Sequence, residues 1–279
     1  RADSSVGHVF AFHHLQLATV RLFGQPAQWE PWLTETARHN WFWGNALNPL
    51  DKRTLARRVD GGREFSGNKS FCSGALDSDM LLVSALEDSA DGKLIIAAVP
   101  TQRAGIRLFE DWDNMGQRQT DSGSAVFERV AVAEDEILAD PGPLSSPRAC
   151  LRPLLAQLVF VNVYLGIAEG AFAEARNYTR TQARLWPASP AGEVTEDLYV
   201  LRHYGEFWVA LEGARKLADH AARLFDAAWN EGAGLTEAGR GDVAVAVATA
   251  KMAATRAGLD LTSRMFEVTG ARSTTAALR

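Results

Sequence analysis

The 279 residues contain only two cysteines, Cys72 and Cys150. Two thiols without a CxxC pair or a Cys/His spacing support neither a disulfide framework nor a zinc site, and they fit a reducing, cytoplasmic compartment. Positive charge is not concentrated: the formal net charge is −5, and no run of Lys or Arg is long enough to follow a phosphate backbone. Nucleic acid is therefore not an expected partner. Long apolar runs are missing too. The longest, Leu154 to Ala168, is interrupted by Gln157 and Asn162, so it reads as a buried helix too short and too polar to span a membrane. The opening residues Arg1-Ala2-Asp3-Ser4-Ser5, followed by His8, lack the charged, apolar and small-residue order of a secretory signal. There is no GxGxxG turn after a strand, no P-loop, no HExxH helix and no GxSxG elbow, which argues against Rossmann dehydrogenases and simple hydrolases. No internal period of solenoid length is present.

What is present is ordinary globular material, 47% hydrophobic and 23% charged, enough for a sizeable core in two packed units. Three zones follow one another. Apolar residues from Val6 to about Asn40 predict two helices joined at Gly24-Gln25-Pro26. From Trp41 to about Ile137, short runs such as Met80–Val83 and Leu94–Val99, with turns at Asp60-Gly61-Gly62 and Asp91-Gly92, predict a sandwich or small barrel, with Pro100 stopping the strand before it. After the loop Asp140–Pro147, helices are expected over 148–184, 195–230 and, with Thr236 as a cap, through the Ala-rich body 242–268 to Gly270. So many alanines let helices approach closely in an antiparallel bundle.

Polar residues in aromatic or glycine-rich settings are the candidates for chemistry. His8 and His13 lie on the first helix beside Phe10 and Phe12, where an imidazole relays a proton or is simply a hydrogen-bonded core histidine. Asn45 follows Trp41-Phe42-Trp43-Gly44, so its amide emerges from an aromatic cluster that suits a flat heteroaromatic ligand or forms a core plug. The segments 67–74, with Lys69, Cys72 and Ser73, and 116–123, preceded by Trp112, read equally as ligand loops or as solvated turns. Arg180, Arg184 and Arg272 near helix ends are able to clamp a phosphate or to complement helix dipoles.

Order and wording together become specific. The helix–β–helix layout resembles the acyl-CoA dehydrogenase superfamily. The strings GHVFAFHH (7–14), NWFWGNA (40–46), GNKSFCSGA (67–75), DWDNMGQRQTDSGS (111–124), NVYLGIAEGA (162–171), YTRTQAR (178–184), YGEF (204–207) and FEVTGAR (266–272) resemble its dibenzothiophene monooxygenase branch across essentially the whole chain. The resemblance implies an α+β fold with the end of an N-terminal helical domain (1–40), a central β-sandwich or barrel domain (41–147) and a C-terminal helical bundle (148–279). It implies an oxidoreductase that uses reduced FMN, supplied by a separate NADH-dependent flavin reductase, and O2 as co-substrate. The reaction oxidises the sulfur of an organosulfur compound such as dibenzothiophene to sulfoxide and sulfone, through a flavin C4a-hydroperoxide. A cytoplasmic homotetramer follows from the same likeness, with no metal and no membrane.

Residue by residue, the likeness implies His8, Asn45 and Ser73 as catalytic polar groups. Phe12, Asn45, Ala46, Lys69, Phe71, Cys72 and Ser73 are implied along the flavin, Arg184, Ala271 and Arg272 at its phosphate, partly from a neighbouring subunit, and Phe12, His13 and Trp112 at the substrate. Residues 46–52 are the natural closing loop. Two departures stand out. Phe12 occupies a position where desulfurisation enzymes of this branch carry tyrosine. The chain also stops at Arg279, before the family's last helices and their histidine, and lacks a front helical segment, so a longer protein is expected. An FAD-dependent acyl-CoA dehydrogenase, a flavin N-hydroxylase on the same fold and a non-catalytic member are the alternatives.

Overall fold

A computed structural model describes residues 3–275. Two helices come first, α1 (Ser4–Phe23) and α2 (Pro26–His39), separated at Gly24 as expected. A Cβ at Gly24 would sit 2.9 Å from Leu138 Cδ2 and 3.1 Å from the Val20 carbonyl, so the break is also a close approach. Proline at the first position of α2 has a preset φ and no N–H to satisfy. Gln28 accepts the Gln25 N–H at 3.0 Å and donates to the carbonyls of Asp135 and Ile137, each at 2.9 Å.

The expected β region is one curled mixed sheet of seven strands: β1 (Trp43–Ala46), β2 (Leu55–Val59), β3 (Gly62–Lys69), β4 (Met80–Glu87), β5 (Leu94–Pro100), β6 (Ile106–Leu108) and β7 (Ala125–Ala133). The order is β1-β4-β2-β3-β7-β6, with β5 on the other side of β4. Asp60-Gly61 makes the β2–β3 hairpin, and Pro100 ends β5 as its last paired residue, opposite Met80. β1 and β2 both run parallel to β4, a crossover that the hairpin signals do not announce. β4 is buried along Met80–Ala85, hence its unbroken apolar run with only Ser84 interposed. Phe65, Leu81, Val83, Ile95, Ala97, Val99, Phe127 and Val130 pack into one core inside the curl.

Helices α3 (Leu151–Thr181), α4 (Leu198–Glu231), α5 (Glu237–Arg264) and the short α6 (Phe266–Thr269) complete the chain. α3 and α4 each begin three residues later than the sequence reading. Thr236 caps α5, accepting the Gly239 N–H at 3.1 Å, and Gly270 (φ 74) terminates α6. By contacts the chain divides into two units, residues 5–156 with 231–240, and 157–230 with 241 onward. In the second, buried positions alternate by four and three: Val161, Leu165, Ala168, Phe172 and Ala175 on α3; Phe207, Leu211, Ala214, Ala218, Ala221, Phe225 and Ala228 on α4; Val243, Val247, Ala250, Ala254, Ala257 and Leu261 on α5. This is a coiled-coil seam, with alanine permitting close approach. Thr179 bonds Tyr204 at 2.8 Å and Arg215 pairs with Glu169 at 2.7 Å, so α3 and α4 are antiparallel. Among the described residues one helix, α3, is long and apolar enough to cross a bilayer, at 31 residues longer than the Leu154–Ala168 run suggests. Glu169, Glu174 and Arg176 lie on it.

Candidate active site

Within the first unit, the turn after β3 and the loop between β6 and β7 are laced together. The Cys72 N–H donates to the Gly123 carbonyl at 3.0 Å and the Gly74 N–H to the Thr120 carbonyl at 3.0 Å. Beside them α1 presents His8. The result is a cavity of about 520 Å³ lined by His8, Phe71, Ser73, Trp112, Gln117, Thr120 and Ser122, among others, a volume in the range of small-molecule sites. Phe71 and Trp112 meet edge to face at 5.4 Å. Phe71 (φ 59) and Gln117 (φ 53) adopt the left-handed backbone that side chains ordinarily avoid, and such strain concentrates at functional sites.

His8 is 8% exposed, with its ring 4.3 Å from that of Phe12. Burial lowers its pKa, and a hydrogen bond with the Gln117 side chain acts in the opposite direction. Ser73 Oγ lies 2.7 Å from Ser122 Oγ, which lies 2.7 Å from Thr120 Oγ1. Asn45 is fixed behind this wall. Its backbone N–H donates to the Ser73 carbonyl at 3.1 Å, its Nδ2 to the Phe71 carbonyl at 3.4 Å, and its Oδ1 accepts from Gln16 Nε2 at 3.0 Å. A Cβ at Gly44 would lie 2.6 Å from Ser78 Oγ and 2.8 Å from Ala75 Cα, so glycine lets β1 come close enough to place Asn45.

The structure thus gathers His8, Phe71, Ser73 and Trp112 around one cavity, with Phe12 against His8 and Asn45 bonded to Phe71 and Ser73. Other expected residues are turned elsewhere. His13 accepts the Trp43 N–H at 3.2 Å through Nδ1 and stacks on Phe42 at 5.1 Å. Burial and the neighbouring His14 lower its pKa. Lys69 is 1% exposed and directs Nζ to the carbonyls of Asn48 (3.1 Å) and Asp51 (2.6 Å). Burial pushes its pKa down to about 8. Its ammonium therefore ties down the 46–52 loop, which the Asp51 carboxylate also fastens to the Ser70 N–H at 3.1 Å. Cys72 and Ala46 lie in the sheet core, and burial pushes the Cys72 thiol up to about 12. Arg184, Ala271 and Arg272 belong to the helical unit and are exposed there. Arg184 lines a groove of about 830 Å³ with Trp186, Tyr199 and Gly270, and Ala271 and Arg272 form the turn after Gly270. Among the described residues no group of three or more His, Cys, Asp or Glu side chains is placed to hold a metal.

Gln16 escaped the sequence reading, because one glutamine on an apolar helix carries no spacing signal. It is fully buried, and its Oε1 has no hydrogen-bond partner among the described residues. Gln16→Leu is expected to leave Asn45 Oδ1 without its best donor and to cost about 1–3 kcal/mol in urea unfolding. A loss under a few tenths would show that the amide pair is incidental.

Comparison with known proteins matches the chain to a family. The acyl-CoA dehydrogenase middle domain matches residues 44–130, and the acyl-CoA dehydrogenase C-terminal domain matches residues 158–279. A probable FMNH2-dependent monooxygenase, SfnC of Pseudomonas putida, is 63% identical over 279 residues, covering 100% of this chain and 71% of that protein. A dibenzothiophene monooxygenase of Rhodococcus erythropolis is 44% identical, covering 98% and 69%. The solved structure of the methanesulfinate monooxygenase MsuC from Pseudomonas fluorescens superposes with a TM-score of 0.98 at 65% identity, covering 99% of this chain and 72% of that one.

Proposed function

The chain belongs to the acyl-CoA dehydrogenase family, in its FMNH2-dependent monooxygenase branch, and from that premise we propose that it oxidises the sulfur of a small organosulfur compound with O2. The flavin arrives as reduced FMN from a separate flavin reductase, which we take to be NADH-dependent, in the cytoplasm. Methanesulfinate and dibenzothiophene, the substrates named for its relatives, define the substrate class to assay. The observation that carries this reading is the convergence of His8 and Ser73 on one aromatic-walled cavity, with Asn45 bonded behind it.

The residues present fit a flavin. Phe71 and Trp112 offer flat apolar contact and Ser73 offers a polar atom for the ring edge, with Asn45 and the orphaned Gln16 Oε1 behind them. When bound, reduced FMN supplies the electrons that activate O2 for transfer of one oxygen atom. The protein's part is to bind, to exclude water and to move a proton. We assign Ser73 and Asn45 to the ring edge and Phe12 and Phe71 to the surrounding wall, with Ala46, Lys69 and Cys72 supporting that wall from the core behind it. In this assignment Lys69 acts through the 46–52 loop that it anchors. Arg184, Ala271 and Arg272 are assigned to the phosphate, contributed in part by a neighbouring subunit, and Phe12, His13 and Trp112 to the substrate side. His8, held neutral by burial, keeps one ring nitrogen as donor and one as acceptor, which is what a proton relay requires.

We retain the division into 1–40, 41–147 and 148–279 as the domain reading. A homotetramer accounts for a second apolar stripe, since Val245, Met252 and Leu259 repeat every seventh residue on α5 and are all exposed, as are Leu201 and Trp208 on α4. The test is equilibrium binding of FMN against FAD to the full-length protein, followed by turnover of both sulfur compounds with a flavin reductase. FMN is expected to bind more tightly. Preference for FAD would transfer the reading to acyl-CoA dehydrogenation, and binding of neither would remove the enzyme assignment.

A further inference from the structure

Three hydroxyls and a carbonyl form a continuous line in the cavity wall. Ser73 Oγ and Ser122 Oγ are 2.7 Å apart, Ser122 Oγ and Thr120 Oγ1 are 2.7 Å apart, and Thr120 Oγ1 donates to the Gln117 carbonyl at 2.9 Å. Each hydroxyl has one proton and the carbonyl has none. Three bonds use all three protons, so only one order satisfies the line: Thr120 donates to Gln117, Ser122 to Thr120, and Ser73 to Ser122. Reversing it would leave a hydrogen bond unmade where Ser73 is 6%, Ser122 3% and Thr120 0% exposed. The terminal carbonyl is held from another side by Trp112 Nε1 at 2.8 Å.

Ser73 has therefore committed its proton inside the wall and shows lone pairs to the cavity. We propose that Ser122 and Thr120 are positioning residues that hold the Ser73 hydroxyl as an acceptor, making the site selective for reduced over oxidised flavin. The proposal rests on the FMN reading above. Flavin N5 bears a hydrogen when reduced and a bare lone pair when oxidised, so a fixed acceptor attracts the first and repels the second. An enzyme whose flavin is reduced elsewhere needs this discrimination, because the oxidised form is present in the same solution and has to leave after turnover.

The test is the ratio of dissociation constants for FMNH2, titrated anaerobically, and for FMN, in the full-length protein. Wild type is expected to favour FMNH2 about tenfold or more, the size of one matched against one mismatched buried hydrogen bond. Ser122→Ala frees the Ser73 hydroxyl to turn outward, and its ratio is expected to fall toward one, chiefly through tighter FMN. Thr120→Val is expected to lower the ratio less, since the Ser73–Ser122 bond then runs in either direction, and Thr120→Ser to restore it. A purely structural role would weaken both redox forms together. Circular dichroism establishes folding, and the near-isosteric Thr120→Val carries the test should Ser122→Ala not fold. FMN bound in both forms with a ratio unchanged in the variants overturns this proposal alone, whereas binding of neither form by wild type overturns the FMN reading with it.

Discussion

His8→Gln is expected to lower turnover about 100-fold, the lower end of what a positioned proton-transfer group contributes, while FMN affinity changes little. Glutamine fills much of the imidazole's space and still bonds Gln117, but an amide cannot accept a proton at one atom while releasing one at another. The pH profile separates this from packing. The folded pKa of His8 is lowered by burial, so on acidification the imidazole stays neutral below 6.5, where an unfolded histidine is already protonated. When the proton finally adds, it fills the acceptor nitrogen and stops the relay. Turnover of the wild type is therefore expected to fall on an acid limb below pH 6.5, and His8→Gln to lack it. The limb surviving in the variant would reassign it to another group and sink the relay.

His13 also titrates downward, with a different consequence. Its Nδ1 accepts the Trp43 N–H, so protonation breaks a bond that holds β1 to α1. For both imidazoles the unfolded chain binds the proton first. Their contribution to stability is complete above pH 6.5 and is lost as pH falls through the folded values.

The elements written locally were legible in the sequence: the break at Gly24, the Asp60-Gly61 turn, the Thr236 cap and the Ala-rich seam of α5. What depends on contact across the chain was not. The parallel β1–β4 pair joins Trp43 to Met80 through four residues with no alternation to betray their partner. Lys69 reads as a cation for a cofactor, yet its amine is consumed by two loop carbonyls, because a buried ammonium takes whatever acceptors lie within reach. Ser122 and Thr120 lie inside the polar run 116–123 with nothing in the sequence to distinguish them from solvated neighbours. Only the pairing of residues 72–74 with 120–123 turns their hydroxyls into a line with a direction. The wording of GNKSFCSGA identified the segment, and the fold then separates its members into a close-approach glycine, a loop anchor and a cavity hydroxyl.

That glycine carries the largest stability effect expected here. Gly67 lies at the irregularity of β3 against β7 with φ 136, and a Cβ there would sit 2.0 Å from the Arg53 carbonyl and 2.7 Å from Thr54 Cα. Those are backbone atoms that cannot swing aside: Thr54 accepts the Leu86 N–H at 3.0 Å and donates to the Asn68 carbonyl at 2.9 Å, joining β4 to β3. Gly67→Ala is expected to cost about 4 kcal/mol or more in urea unfolding, the range of strain added to a buried clash. Gly61→Ala supplies the control, because Gly61 also has positive φ (76) but nothing within 4 Å of its Cβ. It carries only the left-handed backbone term, about 1–2 kcal/mol. The difference between the two variants reports the close approach together with the costlier backbone at φ 136, and equal losses would show that neither adds to the left-handed term. Flavin binding should weaken in Gly67→Ala at pH and urea concentrations where the protein remains folded, since Lys69, Phe71 and Ser73 follow the glycine directly. In Gly61→Ala, on the turn at the opposite end of β3 from those residues, it should not.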